Sequence, residues 1–116
     1  EIICSVISAL STHNAVTCAV KLKDTVKRVD ENGNVLSTPD RKTLVAVQTP
    51  QGVNVSDYRA ALESSVDLGR FTDDMSVMEA AGHKPFTVPG SYENIKVTTP
   101  EDIALAEYLI LKDEKE

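Results

Sequence analysis

The segment Thr99-Pro100-Glu101-Asp102 constrains this chain more than any other stretch of it. Threonine is a strong helix cap, proline at the first helical position gives up a donor that has no partner there anyway, and the acidic pair faces the positive end of the helix dipole. A helix therefore starts at Pro100, with Ile103, Leu105, Ala106, Leu109 and Ile110 in one broad apolar arc. That arc is expected to be buried, so the rest of the chain has to build a surface for it.

The material for such a surface is short strands and helices in turn. Ala15 to Leu22 alternates with period two, setting Val16, Cys18, Val20 and Leu22 against Ala15, Thr17, Ala19 and Lys21, which reads as a strand. Ile2, Ile3, Val6, Ile7 and Leu10 follow helical spacing before it, so the chain opens inside an element, as a fragment would. Leu44 to Val47 is a second apolar run, expected to stop at Gln48-Thr49-Pro50-Gln51-Gly52, where proline removes a donor and glycine permits a turn. Ser56 is expected to cap a helix that buries Tyr58, Ala61, Leu62 and Ser65. Thr72-Asp73-Asp74 precedes another, with Met75, Met78 and Ala81 inward and a stop at Gly82. Phe86 to Val88 and Ile95 to Val97 are short strand candidates. The alternation predicts one α/β domain with helices over a largely parallel sheet.

Thr25 to Val29 and Val35 to Thr38 flank Asp30-Glu31-Asn32-Gly33-Asn34, whose Asn-Gly step suits a tight hairpin. The flanks carry few large apolar groups, and an isolated two-stranded ribbon is marginal in water, so this arm is expected to pack on a partner subunit.

Charge and cysteine content narrow the function classes. The 116 residues carry 12 Lys+Arg against 18 Asp+Glu, a formal charge of -6, which argues against broad nucleic-acid binding because polyanion affinity needs a basic face. No apolar run spans a bilayer. Cys4 and Cys18 match no metal spacing and sit among apolar residues, as buried reduced thiols do, and no secretory signal is visible. A cytoplasmic protein without membrane contact is the expectation.

Three polar clusters could carry chemistry. Asp24-Thr25-Val26-Lys27-Arg28 with Asp40-Arg41-Lys42 reads by itself as a solvated arm, Gln48-Thr49-Pro50-Gln51 as a strand-ending turn, and Asn94 to Asp102 as a helix cap with one surface lysine, Lys96. His13 and His83 read as loop residues, and Asp73 and Asp74 as helix-capping acids that could also attract a metal.

Taken together and in this order, the clusters resemble the C-terminal half of the 2-C-methyl-D-erythritol 4-phosphate cytidylyltransferases of non-mevalonate isoprenoid biosynthesis. The resemblance rests on Asp24 to Val29, Thr38-Pro39-Asp40-Arg41, Val47 to Gln51, Thr72-Asp73-Asp74, and Gly90 to Asp102 running on into Leu105-Ala106-Glu107. It implies a partial three-layer sugar nucleotidyltransferase-like (Rossmann-like) α/β fold for residues 1–116. Residues 23–40 would form a β-hairpin dimerisation arm that gives a homodimer with shared active sites. It further implies transfer of CMP from CTP to methylerythritol phosphate, release of pyrophosphate, and a divalent cation, usually Mg2+.

By the same resemblance, Arg41 and Thr25 approach the sugar phosphate from the partner chain, and Lys96, Thr49 and Thr72 supply the remaining contacts. The chemistry suits those residue types. A phosphate oxygen that attacks a nucleoside triphosphate is already anionic, so the enzyme needs positive charge and positioning rather than a protein nucleophile. Arg41 offers a planar fork to phosphate oxygens and Lys96 a compact charge.

The family's glycine-rich nucleotide loop and its Asp-Ala-Ala-Arg segment, which helps bind substrate and metal, have no counterpart in the 116 residues, so these residues alone are expected not to turn over CTP. Val53 also stands where the family usually has an aromatic. Two alternatives remain: a ribitol-5-phosphate (pentitol-phosphate) cytidylyltransferase, which shares the Gln-Thr-Pro-Gln and Asn-Ile-Lys-Val-Thr-Thr-Pro segments, and a non-catalytic dimerisation fragment. The Thr-Val-Lys-Arg and Thr-Pro-Asp-Arg segments favour the methylerythritol enzyme.

Overall fold

A computed structural model describes residues 1–65 and 67–116 of the chain. Its elements run α1 (Ile2–Ala9), β1 (Ala15–Lys21), β2 (Arg28–Val29), β3 (Val35–Ser37), β4 (Val45–Val53), α2 (Val55–Ser64), α3 (Asp74–Ala80), β5 (Phe86–Pro89) and α4 (Pro100–Lys115). Strand β1 lies in the middle of a three-stranded sheet ordered β4-β1-β5, and β2 pairs with β3 as a separate ribbon.

The burial of β1 follows from that position. Residues Ala15 to Ala19 are buried on both faces, because even and odd side chains meet different helices. Val16 and Cys18 pack with Val88 against Val6 of α1, while Ala15 packs with Ala61 of α2 and Met75, Val77 and Met78 of α3. Gly52 lets α1 lie close on β4: a Cβ there would be 2.7 Å from Leu10 Cδ1 and 3.0 Å from Val6 Cγ1. Helices thus cover both faces of the sheet, a three-layer α/β arrangement.

Several expectations need correction. The sheet is mixed, since β1 runs parallel to β5 but antiparallel to β4. Strand β4 does not stop at Gln48 but continues through Pro50 to Val53, and the ladder absorbs the missing donor in a register shift between Thr17 and Ala19. Asn54, not Ser56, caps α2, with its side chain accepting from the Asp57 amide at 3.1 Å. Ile95 to Val97 form no strand, because the chain turns away from the sheet after Gly90 donates to the Ala19 carbonyl at 2.8 Å. Cys4 is exposed on the outer side of α1 and only Cys18 is buried; both thiols are free.

Helix α4 begins as predicted, with a Thr99/Asp102 capping box and proline at its start. Its apolar arc is not buried: Ile103 is 54% and Ile110 59% exposed. The two buried clusters are built on β1 with α1 on one side and α2–α3 on the other, and α4 contributes to neither. Among the described residues no helix is long and apolar enough to cross a membrane.

A ribbon forms around the Asn-Gly turn, but its strands are only Arg28–Val29 and Val35–Ser37, shorter than the expected Thr25 to Val29 and Val35 to Thr38. Asp30 Oδ1 accepts from the amides of Asn32 and Asn34 at 2.9 Å each, and Gly33 takes a φ of 86°. Val29, Val35 and Leu36 on the ribbon are all more than half exposed.

Candidate functional site

A groove of about 440 Å3 opens beside β4, between the strand and the irregular segment that follows β5. It is lined by Gln48, Thr49 and Gln51 of the strand, by Asp73 at the start of α3, and by Asn94 and Lys96 across from them. Its size falls in the ordinary range for small-molecule sites. A larger cavity of about 770 Å3 lies between the start of α1 and residues 89–94, and none of Thr25, Arg41, Thr49, Thr72 or Lys96 lines it.

Lys96 reaches the groove because the chain after Asn94 is drawn over β4. Asn94 Nδ2 donates to the Thr49 carbonyl at 2.7 Å and to Gln48 Oε1 at 3.3 Å. Beyond Lys96, one carboxylate oxygen of Asp102 accepts from the Thr98 amide, the Thr98 hydroxyl and the Thr99 amide, each at 3.0 Å. These bonds hold the Asp102 carboxyl below its ordinary value, the Thr98 amide bond contributing most. Among the described residues the Lys96 ammonium has no hydrogen-bond or ion-pair partner.

Asp73 forms the other end of the groove. Its Oδ1 accepts from the Ser76 amide at 2.8 Å and from the Ser76 hydroxyl, and its Oδ2 accepts from Gln51 Nε2 at 3.1 Å. Partial burial pushes this carboxyl up, yet the Ser76 and Gln51 bonds outweigh it and the net displacement is downward. The groove therefore has an anionic wall beside α3 and a cationic one at Lys96.

Of the residues singled out in the sequence, Thr49 and Lys96 share this groove. Thr72 is exposed directly before the Asp73 cap, with its hydroxyl 3.3 Å from that of Ser76. Arg41 lines a separate cleft of about 240 Å3 with Lys21, Leu22, Lys42, Leu44 and Val45, and its Nη1 donates to the Lys23 carbonyl at 2.7 Å. Thr25 is exposed at the foot of the arm. One chain therefore does not bring Arg41 and Lys96 into one cavity. Gln48, Gln51 and Asn94 stood in the motifs without a role. His83 Nδ1 lies 2.6 Å from Asn14 Nδ2, and His13 stacks on Phe86 with ring centroids 4.0 Å apart. Neither histidine lines the groove.

A divalent cation needs several oxygen ligands converging on one point. Among the described residues no three His, Cys, Asp or Glu side chains gather in that way. Asp73 already accepts from Gln51 and Ser76.

The family model for 2-C-methyl-D-erythritol 4-phosphate cytidylyltransferase matches residues 1–112. A relative of that name from Bacillus cereus is 45% identical over 118 aligned positions, covering 99% of this chain and 51% of the relative. One from Synechococcus elongatus is 46% identical over 109 positions, covering 90% of this chain and 45% of its own. Among solved structures, 4-diphosphocytidyl-2C-methyl-D-erythritol synthase from Anaerococcus prevotii superposes with a TM-score of 0.85 at 36% identity, over 94% of this chain and 51% of that one. The Francisella tularensis cytidylyltransferase gives 0.82 at 29% identity, over 92% and 51%. The chain thus spans about half the length of the relatives it matches.

Proposed function

The chain belongs to the 2-C-methyl-D-erythritol 4-phosphate cytidylyltransferase family, and from that premise we propose that the protein carrying it transfers CMP from CTP to methylerythritol phosphate. A phosphate oxygen of the sugar forms a bond to the α-phosphorus while the bond to the β-phosphate breaks, and its electron pair leaves with pyrophosphate. This chain supplies the sugar-phosphate side of the site. The observation that carries the reading is that Thr49 and Lys96, distant in sequence, line one groove.

Lys96 offsets the repulsion between two phosphorylated substrates, and Thr49 orients the acceptor without adding charge. Thr72, which precedes the groove residue Asp73 in the chain, is assigned a further substrate contact. Arg41 and Thr25 act on the groove of a second copy in a homodimer joined through the arm; the exposed Val29, Val35 and Leu36 and the separation of Arg41 from its own groove support that arrangement. Mg2+ neutralises phosphate charge when bound, and no residue described here is assigned to it. The reaction belongs in the cytoplasm.

The test is pyrophosphate release by the whole protein with CTP and either methylerythritol phosphate or ribitol phosphate. Methylerythritol phosphate should be the preferred acceptor, and Lys96→Met should slow its turnover by about 10²- to 10³-fold, the usual loss when a transition-state charge contact is removed. A clear ribitol preference, or a Lys96→Met rate equal to wild type, would overturn the reading.

A further inference from the structure

Lys96 lies on a stretch that no strand holds. Residues 94–98 make no ladder with the sheet, and the last strand bond before them is Gly90 to Ala19. A loose segment would let Lys96 drift relative to Thr49, yet side-chain amides tie the chain just before it to β4.

Gln48 Nε2 donates to the Ser91 carbonyl at 2.8 Å, and its Oε1 accepts from the Ser91 amide at 3.3 Å, as a neighbouring strand would. The same Oε1 accepts from Asn94 Nδ2, which also donates to the Thr49 carbonyl at 2.7 Å. Two amide side chains thereby replace the missing ladder, and one of them ends on the backbone of Thr49 itself. The fit depends on Gly90, where any Cβ would fall well inside van der Waals contact with Gln48 Oε1.

We propose that Asn94 and Gln48 are positioning residues that set the spacing between Thr49 and Lys96 across the groove, an inference that rests on reading this groove as the sugar-phosphate side of cytidylyl transfer. Neither amide carries charge, and their contribution is geometric: displacement of a reacting group by about 1 Å costs on the order of a hundredfold in rate.

A double-mutant cycle in the whole protein tests this through Lys96. Asn94→Ala should lower kcat for methylerythritol phosphate by about tenfold to a hundredfold. In the Lys96→Met background the same change should have almost no further effect, because no ammonium remains to be placed. Gln48→Met, which keeps the length and removes the amide, should show the same pattern. Additive effects, or unchanged kcat in both single variants, would overturn the inference while leaving the transfer reaction intact. Loss of a cooperative melting transition in both variants would also overturn it, assigning the amides to the fold instead. A wild-type protein that turns over neither sugar phosphate would remove the functional reading, and this inference with it.

Discussion

Replacing Asp73 with alanine removes two things at once. The Ser76 amide loses its cap at 2.8 Å, and Gln51 Nε2 loses its acceptor at 3.1 Å. Loss of an aspartate cap costs about 1 kcal/mol, and loss of a hydrogen bond to a half-buried charged acceptor adds about 1 to 2 kcal/mol. The variant should therefore be less stable by about 2 to 3 kcal/mol at pH 7, read from urea midpoints at constant slope. Asp73→Asn keeps a good cap and loses the charge, so it should retain about half of the difference.

The dependence on pH follows from the lowered carboxyl of Asp73. A group whose folded value lies below its unfolded value stabilises the protein above the unfolded value, near 4 for a carboxylate, and loses that contribution as pH falls through the folded value. The gap between wild type and Asp73→Ala should stay level from about pH 7 to 5 and narrow below about pH 4. A gap of the same size at about pH 7 and pH 3, or one under about 0.5 kcal/mol at neutral pH, would refute the argument that these bonds set the charge state.

Two further outcomes follow from the geometry. If Arg41 serves the groove of a second copy, mixing Arg41→Ala and Lys96→Ala proteins should restore turnover to about a quarter of wild type, since about half the dimers are mixed and each holds one intact site of two. No recovery after subunit exchange would exclude sharing. Gly52→Ala should destabilise by about 1 to 3 kcal/mol, because the new Cβ would approach Leu10 Cδ1 to 2.7 Å and push α1 off β4; an unchanged denaturation midpoint would mean that α1 is loosely held.

What the sequence made legible was local and directional. Thr99, Pro100 and Asp102 act within one turn of each other, so the start of α4 is where capping chemistry puts it. The arm turn is equally short-ranged, closed by Asp30 and Gly33. The errors arise where distant parts meet. Pro50 reads as a strand breaker, yet a register shift against β1 keeps β4 intact, and that depends on a strand some thirty positions earlier. Asn54 outcompetes Ser56 as a cap because its own amide is tied to the Asn14 carbonyl at 2.8 Å, fixing where the helix can begin. The arc on α4 is apolar as read, but no pattern within a helix tells whether the sheet has a free face for it.

The site divides along the same line. Lys96 and Thr49 were recognisable within motifs that resemble a known family. Gln48, Asn94 and Gln51 are uncharged amides whose roles come from carbonyls and carboxylates far away in the chain, and no spacing rule marks such pairs.

Strand β1 is enclosed on all four sides, by β4 and β5 at its edges and by helices above and below. From Ala15 to Ala19 the backbone therefore has no position that water can make tolerant, and a bulkier or smaller side chain there must disturb a neighbour. Substitutions that leave the centre untouched belong at exposed polar positions such as Glu31 at the tip of the arm and Lys115 at the end of the last helix.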